Sequence, residues 1–421
     1  MLTKQNLITV FEHEKLFFNL KNEQEKQLHD ALEIYHGHQT PFFKLIRNGV
    51  QFNEHVGIIQ IGKTTIEVLP KADKSGEEKW RDLLIGMIKT VWGFDVKSTG
   101  SSSLKLKSNS ILELYFELFI SKVEYLLHRG LIKRYRKNEG NQTSLKDALQ
   151  FSKHIAHNLV HKERFYVSYT QYSQEHTIHE ILFKTIKLLA HINSNSLLKG
   201  RIGALTLDFP EMKEIKVNES TFKKIVFDRK NQHYKTALEI SKLLLLNYHP
   251  DISKGRNDIL ALMFDMNSLW EQFILVTLKR KLKTHLVSSQ VTKSFWKPTS
   301  GYSSKMRPDI ILKCKESQEN YVLDTKWKNL NGYNPSPEDL RQMYVYHRFY
   351  QAKKVALVYP SDQHFIQNGN YYNSNNQLEM SDKECSIMQI ATSTDIKTWQ
   401  EEIVKNISKL FLSKRDSNSI N

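Results

Sequence analysis

A chain of 421 residues with 40% hydrophobic and 11% aromatic side chains has apolar surface for more than one core, which excludes a mostly disordered protein and predicts two or three domains. Lys and Arg number 61 against 45 Asp and Glu, and the resulting formal charge of +16 makes a polyanion, nucleic acid above all, the expected large partner. Two cysteines, Cys314 and Cys385, are too few for a disulfide framework or a zinc cluster, no apolar run approaches a membrane span, and the opening MLTKQNLITVFEHEK lacks a signal-peptide core. A cytoplasmic location without membrane contact is expected; the plainer alternative is a basic cytosolic protein that binds no polyanion.

In chain order, Phe42 to Pro70 alternates and is rich in Ile, Val and Thr, as in hairpin strands. Trp80, Leu83, Leu84, Met87, Ile88, Val91 and Trp92 then mark one helix face. The Ser-rich stretch KSTGSSSLKLKSNS, Lys97 to Ser110, breaks the pattern and bounds a mixed α/β N-terminal domain, 1–105, expected to dock a partner. Helical spacing resumes at Ile111, Leu114, Tyr115, Leu118 and Phe119 and again at Ile178, Ile181, Leu182, Ile186 and Leu189, so a mostly helical middle region is predicted over 106–255.

A second break falls at HPDISKGR, His249 to Arg256. Beyond it the pattern predicts a helix from Asp258 to about Lys281, strands around Leu286, Ile310 and Val322, a helix from Pro337 to Tyr350 and a strand over Val355 to Tyr359. The order α-β-β-β-α-β defines a C-terminal domain, 256–421. Internal repeats and coiled-coil heptads are absent from the sequence.

The stretch GIIQIGKT, Gly57 to Thr64, satisfies the phosphate-loop pattern G-x-x-x-x-G-K-[ST]. Its context does not. A phosphate loop has small flexible residues inside it and a helix after it, whereas here the interior is Ile58, Ile59, Gln60 and Ile61, and a strand ended by Pro70 follows. Gly62 and Lys63 read instead as a hairpin turn, with Ile59 and Ile61 set against Ile66 and Val68.

The chemistry lies in RPDIIL, Arg307 to Leu312, and VLDTKWK, Val322 to Lys328. Residues i and i+2 of a strand share a face, so Asp324 and Lys326 point together while Thr325 faces away, and Asp309 lies beside them if the two strands pair. Two carboxylates and an ammonium then converge, a set suited to Mg²⁺-assisted phosphodiester hydrolysis, with the lysine orienting a water or assisting its deprotonation. The alternative is two unrelated surface strands with a salt bridge. Gln342 and Tyr346 in QMYVY, spaced i, i+4, project from one helix face toward the same cleft, and Glu271 sits among Met266, Leu269, Trp270 and Phe273 as either a boundary residue or a support for the metal.

The element order with Pro308-Asp309, the Asp324 to Lys326 DTK and Gln342-x-x-x-Tyr346 resembles the PD-(D/E)xK nuclease superfamily. More specifically, VGIIQIGKTTIEVLPK (Val56 to Lys71), GLIKRYR (Gly130 to Arg136), HKERFYVSY (His161 to Tyr169) and FDMNSLWEQF (Phe264 to Phe273) resemble the McrC family, nuclease subunits of McrBC-type 5-methylcytosine-dependent restriction systems, over nearly the whole chain. The resemblance implies an α+β multidomain protein with a restriction-endonuclease-like PD-(D/E)xK C-terminal domain. It implies Mg²⁺ ligation by Asp309 and Asp324, the catalytic lysine role for Lys326, a supporting acidic role for Glu271 and support from Gln342 and Tyr346. It also implies double-stranded DNA as substrate and an McrB-type AAA+ GTPase ring as partner, with GTP bound by the partner and not by this chain.

Lys133, Arg134 and Arg136 of GLIKRYR are candidates for the partner's nucleotide site or for DNA phosphates, a solvated basic face being the alternative. His154, His157 and His161 suggest a shared helix face, a spacing more often incidental than metal-binding. Two other classes stand beside the endonuclease subunit: a non-catalytic regulatory adaptor of an AAA+ NTPase that keeps the nuclease scaffold, and a lone RNA nuclease. Because a hairpin-turn lysine has no phosphate to hold, Lys63→Ala is expected to leave nucleotide binding by the isolated chain unchanged, and tight GTP or ATP binding that depends on Lys63 would overturn the hairpin assignment.

Overall fold

The computed structural model describes residues 6–37, 40–62, 64–70, 76–91, 111–193, 195–249, 258–330, 332, 334–373 and 378–411. The predicted break at Lys97 to Ser110, nearly all of that at His249 to Arg256, and Lys63 itself lie outside these residues. By contacts the chain divides into two compact units, one made of Met1–Lys105 with Met263–Asn421 and the other of Leu106–Leu262. The sequence reading separates 1–105 from 256–421; here the two belong to one unit.

In the first unit the Ile/Val/Thr alternation gives the expected hairpin. Strand His55–Ile61 pairs antiparallel with Thr64–Leu69, with Gly57 opposite Val68 and Ile59 opposite Ile66, and Asn6–Phe11 adds in parallel on the outer side of Thr64–Leu69. Helix Glu77–Val91 buries Trp80, Leu83, Leu84, Met87 and Ile88, the face its spacing marks. Its Arg81 grips the fully buried Glu67 of the hairpin, Nε to Oε2 at 2.8 Å, so the strand carboxylate is paired rather than stranded in the core. A Cβ on Gly86 would collide with the side chain of Ile396, and that close approach seats the helix against Ile396–Ser408.

The C-terminal part differs from the sequence reading at its start. Ile259–Asp265 is a strand, and the helix begins at Met266, running to Lys281 with Asp265 as its N-cap, Oδ1 accepting from Ser268 N at 2.6 Å. The run ILALM is buried throughout, so it lacks the alternation that separates a buried strand from a helix stripe. Downstream, the described residues form a six-stranded sheet in the order His285–Ser289, Ile310–Cys314, Asn320–Thr325, Ala352–Ser361, Met380–Ala391, Phe365–Tyr372. Helix Pro337–Phe349 crosses between two parallel strands, as a parallel pair requires. A hairpin of Lys293–Trp296 and Ser304–Met306, absent from the predicted order, stands between the first two strands in sequence.

The second unit is largely helical, as the spacing predicts. Helices Ile111–Arg129, Thr177–Ile192, Ser196–Asp208 and Lys235–Leu246 bury their apolar faces together, and Arg201 ties two of them through Glu124 at 2.9 and 2.6 Å. It also carries a three-stranded sheet in which Arg134–Gln142 and Ala148–Leu149 flank Phe165–Ser173. Helix Phe151–Asn158 ends before His161, so the three histidines do not share a helix face. Among the described residues no helix is long and apolar enough to cross a membrane.

His176 caps Thr177–Ile192, its Nδ1 accepting from Ile178 N at 3.0 Å, which needs the neutral ring. Burial, then the charge of Arg134, pushes its pKa down to about 4 from 6.5. A histidine whose folded pKa is depressed costs nothing above 6.5 and lowers stability as pH falls below it, because the unfolded chain takes up the proton first. Thermal melts of the full chain at pH 7 and pH 5 are expected to show His176→Asn, a non-titrating cap, abolishing about 1 kcal/mol of the acid-side loss, after allowance for the half-exposed ring. An equal pH dependence in both proteins would remove His176 from the account.

Candidate active site

The site forms where the central strand Asn320–Thr325 ends. Ile310 pairs antiparallel with Leu323, so the next residues outward, Asp309 and Asp324, face each other across the strand pair. On the other side Asp324 and Thr325 pair in parallel with Leu357 and Val358, and Lys326 N prolongs that ladder to Val358 O at 3.0 Å. Both flanking strands therefore hold the backbone that presents Asp324 and Lys326.

Asp324 is 1% exposed, and its Oδ2 lies 2.7 Å from Lys326 Nζ. The shared i, i+2 face is thus observed. Thr325 does not simply turn away. Its amide and its hydroxyl both donate to Asp309 Oδ2, at 2.7 and 2.9 Å, because the ladder between these two strands stops at Ile310 and Leu323 and leaves that amide to the aspartate. Asp309 thus has one oxygen held by two hydrogen bonds, while Asp324 Oδ2 is met by the Lys326 ammonium as an ion pair. The other oxygen of Asp324 receives only a long contact from Gln342 Nε2, 3.4 Å.

Helix Pro337–Phe349 supplies the next layer through the predicted i, i+4 pair. Gln342 Nε2 donates to Tyr346 Oη at 2.8 Å, and Tyr346 Oη donates to Arg307 O at 3.2 Å, fixing the segment that leads into Asp309. Beneath them Met343, Tyr346 and Tyr350 pack with Val322, Val355 and Leu357. Lys328 is held by Asp339 at 2.6 Å at the helix start.

Burial and like charge displace the titration of the site's acids. Burial, then the neighbouring Asp309, pushes the Asp324 pKa up to about 6, with Lys326 pulling the other way. For Lys326, burial alone would lower the pKa, but the Asp324 carboxylate outweighs it and holds the ammonium above its ordinary value. Glu271, on helix Met266–Lys281, is raised by burial and then by Asp309, while a hydrogen bond from Gln290 and the charge of Arg307 oppose the rise. Its Oε1 is buried and has no hydrogen-bond partner among the described residues. Among the described residues the one group that brings three ligand atoms within 4.8 Å of one another is His29, Asp30 and Glu33, so Asp309, Asp324 and Glu271 surround the site more loosely than that.

The structure brings together Asp309, Asp324, Lys326, Gln342 and Tyr346, with Glu271 feeling the charge of both aspartates. Thr325, Gln290 and Arg307 join them without having been singled out; only the position of Thr325 inside DTK pointed to it. Lys133, Arg134 and Arg136 belong to the second unit, where Arg136 is paired with Glu175 at 2.7 Å and Lys133 Nζ lies 6.0 Å from the Tyr172 ring. An open cleft of about 770 Å³ borders the site, lined by Phe295, Lys305, Arg307, Arg341, Gln342 and Tyr346 among others.

The model of the family "McrBC 5-methylcytosine restriction system component" matches residues 50–360. The chain belongs to this family. Among solved structures it is similar to a chain of the refined half-complex from the tetradecameric assembly of Thermococcus gammatolerans McrB AAA+ hexamers with bound McrC, at 19% identity and a TM-score of 0.69, over 96% of this chain and 100% of that one. A chain of the cryo-EM structure of the Thermococcus gammatolerans McrBC complex also matches, at 19% identity and a TM-score of 0.47, over 66% of this chain and 88% of that one. Among curated proteins none is similar enough in sequence to count as a match. The first likeness extends the family match to the fold of almost the whole chain.

Proposed function

We propose that the chain is the DNA endonuclease subunit of a cytoplasmic, modification-dependent restriction complex, with a PD-(D/E)xK nuclease domain that hydrolyses phosphodiesters with Mg²⁺ and docks on an McrB-type AAA+ GTPase ring. The observation that carries the reading is the buried Asp324 ion-paired with Lys326 at the end of a central strand with Asp309 opposite, in a restriction-system family.

The donor set fits a hard divalent cation. All three acidic groups offer oxygen, Asp324 is held above its ordinary pKa by burial and a like charge, and Glu271 keeps a buried oxygen without a partner. Asp309 and Asp324 would hold the ion, with Glu271 in support. When bound, Mg²⁺ supplies Lewis acidity toward the phosphate and a more acidic water. The chain's own residues do the rest. Thr325 fixes the Asp309 carboxylate through two donors, and Gln342 and Tyr346 set the wall of the cleft. Lys326, paired with Asp324, would orient the attacking water or assist its deprotonation and stabilise the charge that grows on the phosphate.

Asp309→Ala, Asp324→Ala or Lys326→Ala is expected to lower cleavage by the reconstituted complex about a hundredfold or more while a pull-down retains the partner. Thr325→Val, which keeps the amide and removes the hydroxyl, should cost roughly tenfold. Undiminished cutting by Asp324→Ala would refute the site. Adding the chain to its GTPase should raise GTP turnover, and the stimulation should survive Asp324→Ala. Stimulation with no cutting by the wild type would leave the regulatory adaptor instead. Full-length variants are the right reagents, because a truncation near Arg256 would remove the C-terminal half of the first unit and uncover Trp80.

A further inference from the structure

The hairpin Lys293–Trp296 and Ser304–Met306 has a composition unlike the rest of the first unit. From Val291 to Pro308 it carries Lys293, Lys297, Lys305 and Arg307 and no acidic residue, with six Ser or Thr among them. Its aromatic side chains are exposed: Phe295 53%, Trp296 59% and Tyr302 99%. Tyr302 follows Gly301, whose φ of 114° suits glycine and turns the tip. Tyr302 stands in solvent and Trp296 is more than half exposed, so neither is spent on packing the core.

The base of the hairpin, by contrast, is fixed to the site. Tyr350 Oη contacts both strands' approaches, Val291 O at 2.7 Å and Met306 O at 3.2 Å, and Tyr346 Oη holds Arg307 O. Lys293 Nζ donates to Phe349 O at 2.7 Å. Between Ser294 and Trp296 the register shifts, and the bulged Phe295 lines the cleft and meets the Phe349 ring edge-on at 5.5 Å. The returning strand runs directly into Arg307 and Asp309. Lys297 and Lys305 form no ion pair with any described residue, so their charge is available to a ligand.

We propose that this hairpin is a finger that grips duplex DNA beside the cut: Lys297, Lys305 and Arg307 lie on phosphates, and Trp296 and Tyr302 lie against the sugars and base edges in the groove. The inference rests on the nuclease reading for its location. Charge without acidic residues supplies the phosphate attraction, hydroxyls supply short polar contacts, and the aromatic side chains bury apolar surface against sugars and groove edges while keeping a polar tip. A rigid base keeps the gripped duplex in register with Asp324 and Lys326.

The test is binding of the full-length chain to a fluorescein-labelled duplex, and to the matching single strand, by anisotropy in EDTA over a salt series. Lys297→Ala and Lys305→Ala should each reduce the slope of log affinity against log salt by about one. Trp296→Ala and Tyr302→Ala should weaken duplex binding roughly tenfold through lost apolar burial, with the slope unchanged. In a Trp92→Phe background, duplex should also quench tryptophan emission through Trp296, since Trp80, Trp270, Trp327 and Trp399 are buried, and adding Trp296→Phe should remove that quench. All four sites are exposed, and circular dichroism checks the fold. Wild-type affinity and slope in these variants would overturn the proposal, as would binding confined to the single strand or a loss of partner association with DNA binding intact. Failure of the hairpin variants to change binding while wild-type protein still cuts would sink the finger alone; undiminished cutting by Asp324→Ala with hairpin-dependent binding would sink the nuclease reading alone.

Discussion

The indole of Trp327 is the pin on which the first unit turns. It follows Lys326 directly, is buried, and meets Trp270 at 5.6 Å and Trp80 at 6.2 Å, both edge-on. Its Nε1 donates to Glu12 Oε1 at 3.0 Å, and its amide donates to Asn267 Oδ1 at 3.1 Å. Trp270 in turn stacks on Trp399 and donates to Val358 O at 3.3 Å. Large aromatic side chains buried this way each carry about 3–5 kcal/mol against truncation. The strand that ends in Asp324 and Lys326 is thus anchored by residues from the N-terminal strand, the Trp80 helix, the Trp270 helix and the last helix at once.

That anchoring makes the electrostatics tolerable. A buried carboxylate beside a second one is unfavourable, and a loosely held segment would relax it by moving outward. Here the ladders on both sides and the Trp327 contacts hold Asp324 in place beside Asp309, where Lys326 and a long contact from Gln342 offset the burial. Thr325 gives Asp309 its two donors from the same anchored backbone, and Tyr346 holds the approach to Asp309 from the other side.

The parts of this site legible in the sequence are those with short periods. The i, i+2 spacing of Asp324 and Lys326, the i, i+4 spacing of Gln342 and Tyr346, and the alternation that turned GIIQIGKT into a hairpin all follow from local geometry. Thr325 was misjudged because strand alternation says where a side chain points, not which donors are left where the ladder stops. The strand Ile259–Asp265 was hidden because both its faces are buried. Gln290 reaches Glu271 from a left-handed position, φ 55°, that no pattern marks. The finger had a turn signal in Pro298 and Gly301, but its strands are too short to compete with the regular alternation around them.

The pairs that close the first unit are far apart along the chain: Glu12 with Trp327 across 315 residues and Thr90 with Gln400 across 310. Ribosomes add about 5–20 residues per second, so the N-terminal hairpin waits roughly a quarter of a minute to a minute for its partners, while the contiguous second unit is free to fold in the interval. During that wait Trp80 lacks the Trp327 ring that packs edge-on against it. A nascent chain that has just reached Lys326 holds Asp309, Asp324 and Lys326 but still lacks the parallel strand Ala352–Ser361 beside Asp324 and the helix whose Trp399 stacks on Trp270, so the site's support is complete only near the end of synthesis.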